Sequence, residues 1–184
     1  MLIAGDKNYG LAKSLHAIYP DAVFSSRKTG YDLTTEQGRS DFSNEALKHD
    51  VVVLCAALYN FNQTVLLHKV YKTCVDNNQL THIISIGSTT DRVKKGGAWL
   101  YNAEKKALRD YCNTLALNGV WSNGPKITLI SLGTLSNIKE KFPDRVCLDI
   151  DLAANYIKWV IDQPKKIAIN EISIDPMQHK NWHD

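Results

Sequence analysis

The sequence lacks the features of several classes of protein. Its four cysteines show no paired metal-ligand spacing, which indicates reduced, mostly buried thiols rather than a metal site. No apolar run is long enough to span a bilayer, and no signal peptide precedes the first predicted strand. Lysine and arginine total 22 against 19 acidic residues, so charge favours neither nucleic acid nor a membrane surface as partner. We therefore expect a cytoplasmic protein.

The chain has enough hydrophobic residues, 44% of 184, for one ample core. Short β-rich runs alternate with helical stretches, without repeats or low-complexity linkers. Strands are predicted at residues 1–4, 22–26, 51–56, 82–88, 126–132 and 168–174, and helices at about 10–18, 43–49, 62–77, 98–118 and 150–162. This alternation predicts a doubly wound, Rossmann-type parallel sheet in a three-layer α/β/α domain over residues 1–177, with a polar tail at 178–184. Ligands of such sheets bind beyond the carboxyl ends of the strands.

A serine, a tyrosine and a lysine form the most informative pattern. Tyr101 and Lys105 are four residues apart in a predicted helix, so both side chains lie on one helix face. A lysine cation beside a phenol lowers the pKa of the phenol, which suits a general acid/base at a carbonyl or alcohol oxygen. Ser88, at the end of the preceding strand, can hold the same oxygen. Tyr9 and Lys13 share the spacing, and a surface tyrosine is the alternative interpretation of Tyr101.

The first strand runs into a loop of small residues that predicts a phosphate site. Gly5, Asn8, Tyr9, Gly10 and Leu11 belong to this loop, whose backbone amides can approach a pyrophosphate at a helix N-terminus. The glycine spacing is irregular, and a plain glycine turn is the alternative.

The second strand ends in a basic turn. Ser26 and Arg27 stand where an acidic residue would bind the ribose 2′-hydroxyl of NAD, whereas an arginine accommodates the 2′-phosphate of NADP. We therefore expect NADP(H) to be preferred over NAD(H), with a solvated basic turn as the alternative. Asp32 and Leu33 follow at a place where a carboxylate can reach the adenine amino group.

With these motifs, nearly the whole chain resembles the short-chain dehydrogenase/reductase family. Ser88, Tyr101 and Lys105 match the family's Y-x-x-x-K motif and its upstream serine. The resemblance implies that Tyr101 transfers the proton, that Lys105 lowers the pKa of Tyr101 and binds the nicotinamide ribose, and that Ser88 orients the substrate. It also implies that Asp32 and Leu33 contact the adenine.

The resemblance extends to further cofactor and active-site positions. The segment 130–134 resembles the loop beside the nicotinamide, which implies roles for Gly133 and Thr134. The family's fourth catalytic residue is an asparagine early in the central helix. Asn62 is the best match, although Asn60 and Gln63 have similar chemistry and a helix-capping role is possible.

The chain also departs from the family pattern. The glycine loop is one residue longer, and its last glycine is replaced by Ala12. The segment from Cys55 to Leu58, which begins at the end of the third predicted strand, stands where the family has Asn-Asn-Ala-Gly, and we expect Ala56 to lie beside the cofactor. The segment between Gly133 and the helix near Leu152 is short, which predicts little substrate lid. The chain therefore resembles a shortened member.

Two other features have alternative interpretations. Residues 94–100 should line the substrate pocket, with Trp99 as a wall or as a core or interface residue. His179 and His183 have helical metal-ligand spacing, but a disordered tail is favoured. From the resemblance we expect a homodimer or homotetramer formed through the helices at 62–77 and 98–118.

The sequence thus predicts an NADP(H)-dependent oxidoreductase that interconverts a small carbonyl compound and its alcohol. A non-catalytic dinucleotide-binding or sensor protein of the same fold is the first alternative. An epimerase or dehydratase that uses the cofactor transiently is the second.

Overall fold

A computed structural model describes residues 1–92 and 99–178, which contain six β-strands and five α-helices. The strands are β1 (Leu2–Ala4), β2 (Val23–Ser25), β3 (Val51–Leu54), β4 (His82–Ser88), β5 (Lys126–Leu132) and β6 (Glu171–Ile174). The helices are α1 (Gly10–Ile18), α2 (Glu36–Ala46), α3 (Asn62–Asp76), α4 (Leu100–Trp121) and α5 (Ile150–Ile161). The predicted pocket segment at 94–98 and the histidines His179 and His183 lie outside the described residues. Within the two described ranges, no helix is both long and apolar enough to cross a bilayer.

The six strands form one sheet in which every pairing is parallel. The strand order is β2-β1-β3-β4-β5-β6, so the winding of the chain reverses between β1 and β3. At such a switch point the connections leave the sheet in opposite directions and open a crevice at the carboxyl ends of the strands. The predicted doubly wound α/β fold is confirmed.

Helices cover both faces of the sheet. The hydrophobic cluster on one face contains Phe42 of α2 and Leu108 of α4, together with Val52 of β3. The cluster on the opposite face contains Ile157 of α5 and the next residue of β3, Val53. Successive side chains of a strand point to opposite faces, so a strand buried on both sides must be apolar throughout. This requirement explains the continuous apolar run in β3.

Most predicted boundaries lie within two or three residues of the observed ones, but α2 was predicted wrongly. It begins at Glu36 rather than at residue 43, with Thr35 as an N-cap whose side chain accepts a backbone hydrogen bond. Its buried face is partly polar: Arg39 is only 9% exposed, and the Ser43 hydroxyl donates to the Arg39 carbonyl at 2.8 Å. A helix whose buried face is partly polar has a weak apolar periodicity, so the sequence pattern did not reveal the first two turns of α2.

Candidate active site

A cleft of about 1400 Å³ opens at the carboxyl ends of the strands. It lies at the switch point between β1 and β3, where the topology places a ligand site. The predicted site residues that line it are Gly5, Tyr9, Gly10, Leu11, Ser26, Arg27, Asp32, Leu33, Ala56, Asn62, Ser88, Tyr101, Lys105, Gly133 and Thr134. Asn8 does not line the cleft, and its backbone amide donates a hydrogen bond to the Asp6 carboxylate at 3.0 Å. The structure therefore brings together all the predicted site residues except Asn8.

The glycine loop is shaped by two close approaches. A Cβ atom on Gly5 would lie 2.8 Å from the Ala12 Cβ and 3.1 Å from the Cys55 Sγ, so glycine is needed where α1 packs on the sheet. Gly10 adopts a φ of 55°, a left-handed conformation that favours glycine. The N-cap of α1, Tyr9, makes no side-chain capping bond. The first amides of α1 are therefore available to a ligand in the cleft.

The basic turn after β2 is a 3₁₀ turn, Arg27–Thr29. The Thr29 hydroxyl accepts a hydrogen bond from the Ser26 amide at 2.9 Å, which fixes the turn. Lys28 forms an ion pair with Asp6 at 2.7 Å, and its hydrogen bond is the largest cause of the lowered pKa of Asp6. Arg27 is exposed and lines the cleft. The turn thus places two cations at the cleft, Arg27 and Lys28, of which Lys28 is paired with Asp6 in the loop after β1.

Asp32 lies at the same end of the cleft as Arg27. Its carboxylate accepts hydrogen bonds from the Thr34 hydroxyl at 2.6 Å and from the Thr34 amide at 3.0 Å. These two bonds lower the pKa of Asp32, and the Arg27 cation lowers it further. Asp32 therefore remains an ionised acceptor at neutral pH.

Ser88 ends β4, and Tyr101 lies in the first turn of α4. Burial raises the pKa of Tyr101, and the Ser88 hydroxyl near it lowers that pKa in part. The net direction is upward, whereas the sequence predicted a lowered pKa through Lys105. Lys105 does lie close, with its Nζ 5.4 Å from the Tyr101 ring centroid. The prediction failed because desolvation of the phenol outweighs the charge beside it.

Lys105 is itself buried, at 7% exposure. Burial lowers the pKa of its ammonium group to about 8, against the opposing effect of the carboxylates around it. A lysine with a pKa of about 8 is still mostly protonated at neutral pH, so Lys105 remains a cation beside Tyr101.

Gln63 is a residue of the cleft that the sequence analysis named only as an alternative to Asn62. The Lys105 Nζ donates a hydrogen bond to the Gln63 Oε1 at 2.6 Å. The Gln63 Nε2 in turn donates to the Ile86 carbonyl of β4, also at 2.6 Å. Gln63 is only 4% exposed. A buried amide thus connects the lysine to the strand that ends in the serine.

Asn62, the predicted fourth catalytic residue, has other partners. Its Oδ1 accepts a hydrogen bond from the Arg39 Nη1 at 3.0 Å, and its Nδ2 donates to the Tyr59 carbonyl at 2.8 Å. Asn62 lines the cleft, but its hydrogen bonds connect α2 with the loop before α3. The residue that contacts Lys105 is Gln63 instead. Helical spacing could have identified Gln63 as a buried residue, because Gln63 shares a helix face with the buried Leu66 and Leu67.

The segment after β5 crosses the cleft toward the glycine loop. Gly133 begins it, and a Cβ atom there would lie 2.7 Å from the Asp175 Oδ1, so the chain passes tightly beside the end of β6. Thr134 accepts a backbone hydrogen bond from Leu148 at 2.7 Å. Asn137 then approaches Gly10, with its Nδ2 3.5 Å from the position of a Cβ atom on that glycine. The segment is short, as predicted, yet it covers part of the cleft.

We also searched residues 1–92 and 99–178 for clusters of side chains that could bind a metal ion. No group of three or more histidine, cysteine or acidic side chains with metal-binding geometry occurs there.

Comparisons with known proteins were made on sequence and on structure. No protein-family profile matches the sequence. No curated protein matches it either.

Solved structures, in contrast, match over nearly the whole chain. Serine dehydrogenase from Escherichia coli is 16% identical, with a TM-score of 0.69 over 94% of this chain and 95% of that one. A short-chain dehydrogenase/reductase from Vibrio parahaemolyticus is 16% identical, with a TM-score of 0.71 over 96% and 100%. A variant of ElxO with NADPH bound is 14% identical, with a TM-score of 0.76 over 95% and 96%.

At such identities the likeness concerns the fold rather than the substrate. The matched structures include named short-chain dehydrogenases, and the similarity covers nearly the full length of both chains. The chain therefore has the fold of the short-chain dehydrogenases/reductases, as its motifs predicted.

Proposed function

We propose that this protein is an NADP(H)-dependent oxidoreductase that interconverts a small carbonyl compound and its alcohol. The observation that carries the proposal is the group formed by Ser88, Tyr101, Lys105 and Gln63 in the cleft at the switch point. These four side chains combine a proton donor, a hydroxyl beside it and a buried cation with a fixed partner. Such a group suits proton transfer at an oxygen atom.

The residues of the cleft fit a nicotinamide dinucleotide. The close approach at Gly5 and the uncapped start of α1 suit a pyrophosphate, and the ionised Asp32 suits the adenine amino group. Arg27 suits a 2′-phosphate, since a guanidinium binds phosphate oxygens with paired donors. Among the matched structures, one form of serine dehydrogenase is a complex with NADP+, and ElxO has NADPH bound.

Tyr101 acts as the proton donor when a carbonyl is reduced. When bound, the nicotinamide supplies hydride exchange with the substrate carbon. The raised pKa of Tyr101 keeps its phenol protonated at neutral pH, so a proton is ready for the substrate oxygen. Ser88 donates its hydroxyl hydrogen to the same oxygen and orients it. The Tyr101 O–H bond breaks as the alcohol O–H bond forms, and the Lys105 ammonium stabilises the resulting phenolate.

The cofactor half of the proposal is tested by fluorescence titration with NADPH and NADH. In the wild-type protein, we expect NADPH to bind more tightly than NADH. Arg27→Ala should weaken NADPH binding about tenfold to a hundredfold, the range of one charge-assisted hydrogen-bond pair, and should leave NADH within a few-fold.

Lys48→Ala is the matched control, because Lys48 is an exposed cation paired with Glu45 outside the cleft. If Arg27→Ala lost affinity for NADPH and NADH equally, this arginine would not select the 2′-phosphate. Assembly as a homodimer or homotetramer stays a separate prediction, for which sedimentation is the direct measurement.

A further inference from the structure

A buried carboxylate stands directly beside the catalytic lysine and has no part in the proton transfer proposed above. Glu104 precedes Lys105 in α4 and is 6% exposed. Its Oε1 accepts a hydrogen bond from the Asn60 backbone amide at 2.8 Å, across 44 positions of sequence. A buried carboxylate is costly unless hydrogen bonds satisfy it, so this contact must stabilise a particular conformation of the loop before α3.

That loop contains an uncommon turn. Asn60 and Phe61 have φ angles of 57° and 59°, two successive non-glycine residues in the left-handed region. Each such residue carries backbone strain and persists where surrounding contacts impose it. Phe61 is also the N-cap of α3 and makes no side-chain capping bond. The Asn62 amide and its side-chain Nδ2 both donate to the Tyr59 carbonyl across this turn, at 3.2 and 2.8 Å, and the Glu104 contact with the Asn60 amide adds a restraint from outside it.

One residue on each side of this turn lies close to Tyr101 or Lys105. On its N-terminal side, the Tyr59 ring lies 6.0 Å from the Tyr101 ring, centroid to centroid, at 52°. On its C-terminal side, Gln63 binds the Lys105 Nζ at 2.6 Å. A change in the turn would move both contacts together.

We propose that Glu104 is a positioning residue, whose carboxylate fixes the left-handed turn at Asn60 and Phe61 and so places Tyr59 and Gln63 against Tyr101 and Lys105. The role given to the Tyr101–Lys105 pair rests on the proposed function. The restraint that Glu104 places on the turn does not depend on the proposed function.

The charge of Glu104 also acts on the pair. Burial is the largest cause of the raised pKa of Tyr101, and the charges of Tyr59 and Glu104 add to it while Ser88 opposes it. Burial likewise lowers the pKa of Lys105, and Glu104 is the first of the groups that oppose this effect, followed by Cys112 and Asp91. Removal of the Glu104 charge should therefore lower the pKa of both catalytic side chains.

Two substitutions separate the restraint from the charge. Glu104→Gln retains an oxygen that can accept the Asn60 amide but has no charge. Glu104→Ala removes both the acceptor and the charge. Asp110→Asn is the matched control, since Asp110 is an exposed carboxylate of the same helix. Amide hydrogen exchange at Asn60 reports the restraint, and NMR titration of ring-labelled tyrosine, assigned with Tyr101→Phe, reports the charge.

In Glu104→Ala, we expect the Asn60 amide to exchange about tenfold to a hundredfold faster than in the wild type. In Glu104→Gln, exchange should stay within a few-fold of the wild type, while the pKa of Tyr101 shifts downward. Asp110→Asn should change neither quantity. If NADPH-dependent turnover is found, kcat should fall in Glu104→Ala while the affinity for NADPH stays the same. In Glu104→Gln, kcat should stay close to the wild-type value.

Unchanged exchange at Asn60 in a folded Glu104→Ala protein would overturn the proposal. If Glu104→Ala does not fold, Glu104→Asp decides, because its carboxylate is one methylene shorter: faster exchange at Asn60 supports the proposal, and unchanged exchange overturns it. Both readouts use the free protein. A failure to bind NADPH would therefore refute the proposed function and leave the result on Glu104 standing.

Discussion

The hydrogen-bonded bridge through Gln63 gives the sharpest prediction about stability. Gln63→Leu keeps a side chain of similar size and removes both buried hydrogen bonds. The bond from Lys105, a charged donor, contributes about 1.5–3 kcal/mol, and the unsatisfied Ile86 carbonyl costs about 1–3 kcal/mol. Burial of the added apolar surface returns about 1–2 kcal/mol. We expect a net loss of about 2–4 kcal/mol in the free energy of unfolding.

The loss should depend on pH in a defined direction. The pKa of Lys105 is lowered by burial to about 8, from an ordinary value of about 10.4. A base with a lowered pKa destabilises the folded state as the pH falls through this range, because the unfolded state binds the proton more readily. Loss of the Gln63 acceptor lowers the pKa of Lys105 further. This charge-dependent part of the difference between variant and wild type should therefore be largest at and below neutral pH, shrink as the pH rises toward 8, and be lost above about pH 8.

The assay is urea unfolding at a series of pH values. Gln37→Leu is the matched control, because Gln37 is exposed and its bond to Asp41 lies on the surface of α2. The free energy of unfolding of Gln37→Leu should be less than about 1 kcal/mol below that of the wild type at every pH. If Gln63→Leu loses no more than Gln37→Leu, or if its loss does not change with pH, the bridge to Lys105 does not have the importance we assign to it.

Three further predictions concern the fold and the cofactor loop. Gly5→Ala should weaken dinucleotide binding at least about tenfold in a titration, since the new Cβ atom would lie 2.8 Å from the Ala12 Cβ; unchanged affinity would show that the loop tolerates the methyl group. Phe42→Ala should lower the free energy of unfolding by about 3–5 kcal/mol in urea, because the ring is fully buried, and a loss under 1 kcal/mol would contradict the described core. Burial lowers the pKa of His82 to about 4, so the folded state should lose up to about 3 kcal/mol as the pH falls from 6.5 to 4. His82→Gln should remove most of that dependence, and a wild-type stability that stays flat over this range would refute the assignment.

The strands and the doubly wound parallel sheet were accessible from the sequence because their signal is strong. The boundaries of β4 and β5 were predicted to the residue, since both runs are rich in isoleucine or leucine and polar or small residues bound them. α2 was placed too late because its buried side chains include Arg39 and Ser43. Apolar periodicity cannot detect a buried face that is satisfied by hydrogen bonds.

The choice between Asn62 and Gln63 shows a second limit. Both are side-chain amides at the start of α3, and one position on a helix turns a side chain by about 100°. That rotation separates a residue that binds Arg39 from one that binds Lys105. The pKa of Tyr101 was predicted in the wrong direction for a related reason. Spacing places a cation beside a phenol but does not reveal how much water the fold excludes from both.

The central claim is that Tyr101 donates a proton during NADPH-dependent reduction of a carbonyl compound. The most direct measurement is the rate of NADPH consumption over a panel of small aldehydes and ketones, with wild-type protein, Tyr101→Phe and Tyr156→Phe. Tyr156 is a partly exposed tyrosine of α5 and serves as the matched control. Wild type and Tyr156→Phe should turn over the same substrates at similar rates. Tyr101→Phe should lose at least about a hundredfold in kcat and keep its affinity for NADPH. Equal turnover by Tyr101→Phe would contradict the assigned role, and tight NADPH binding without turnover of any compound would favour the non-catalytic alternative.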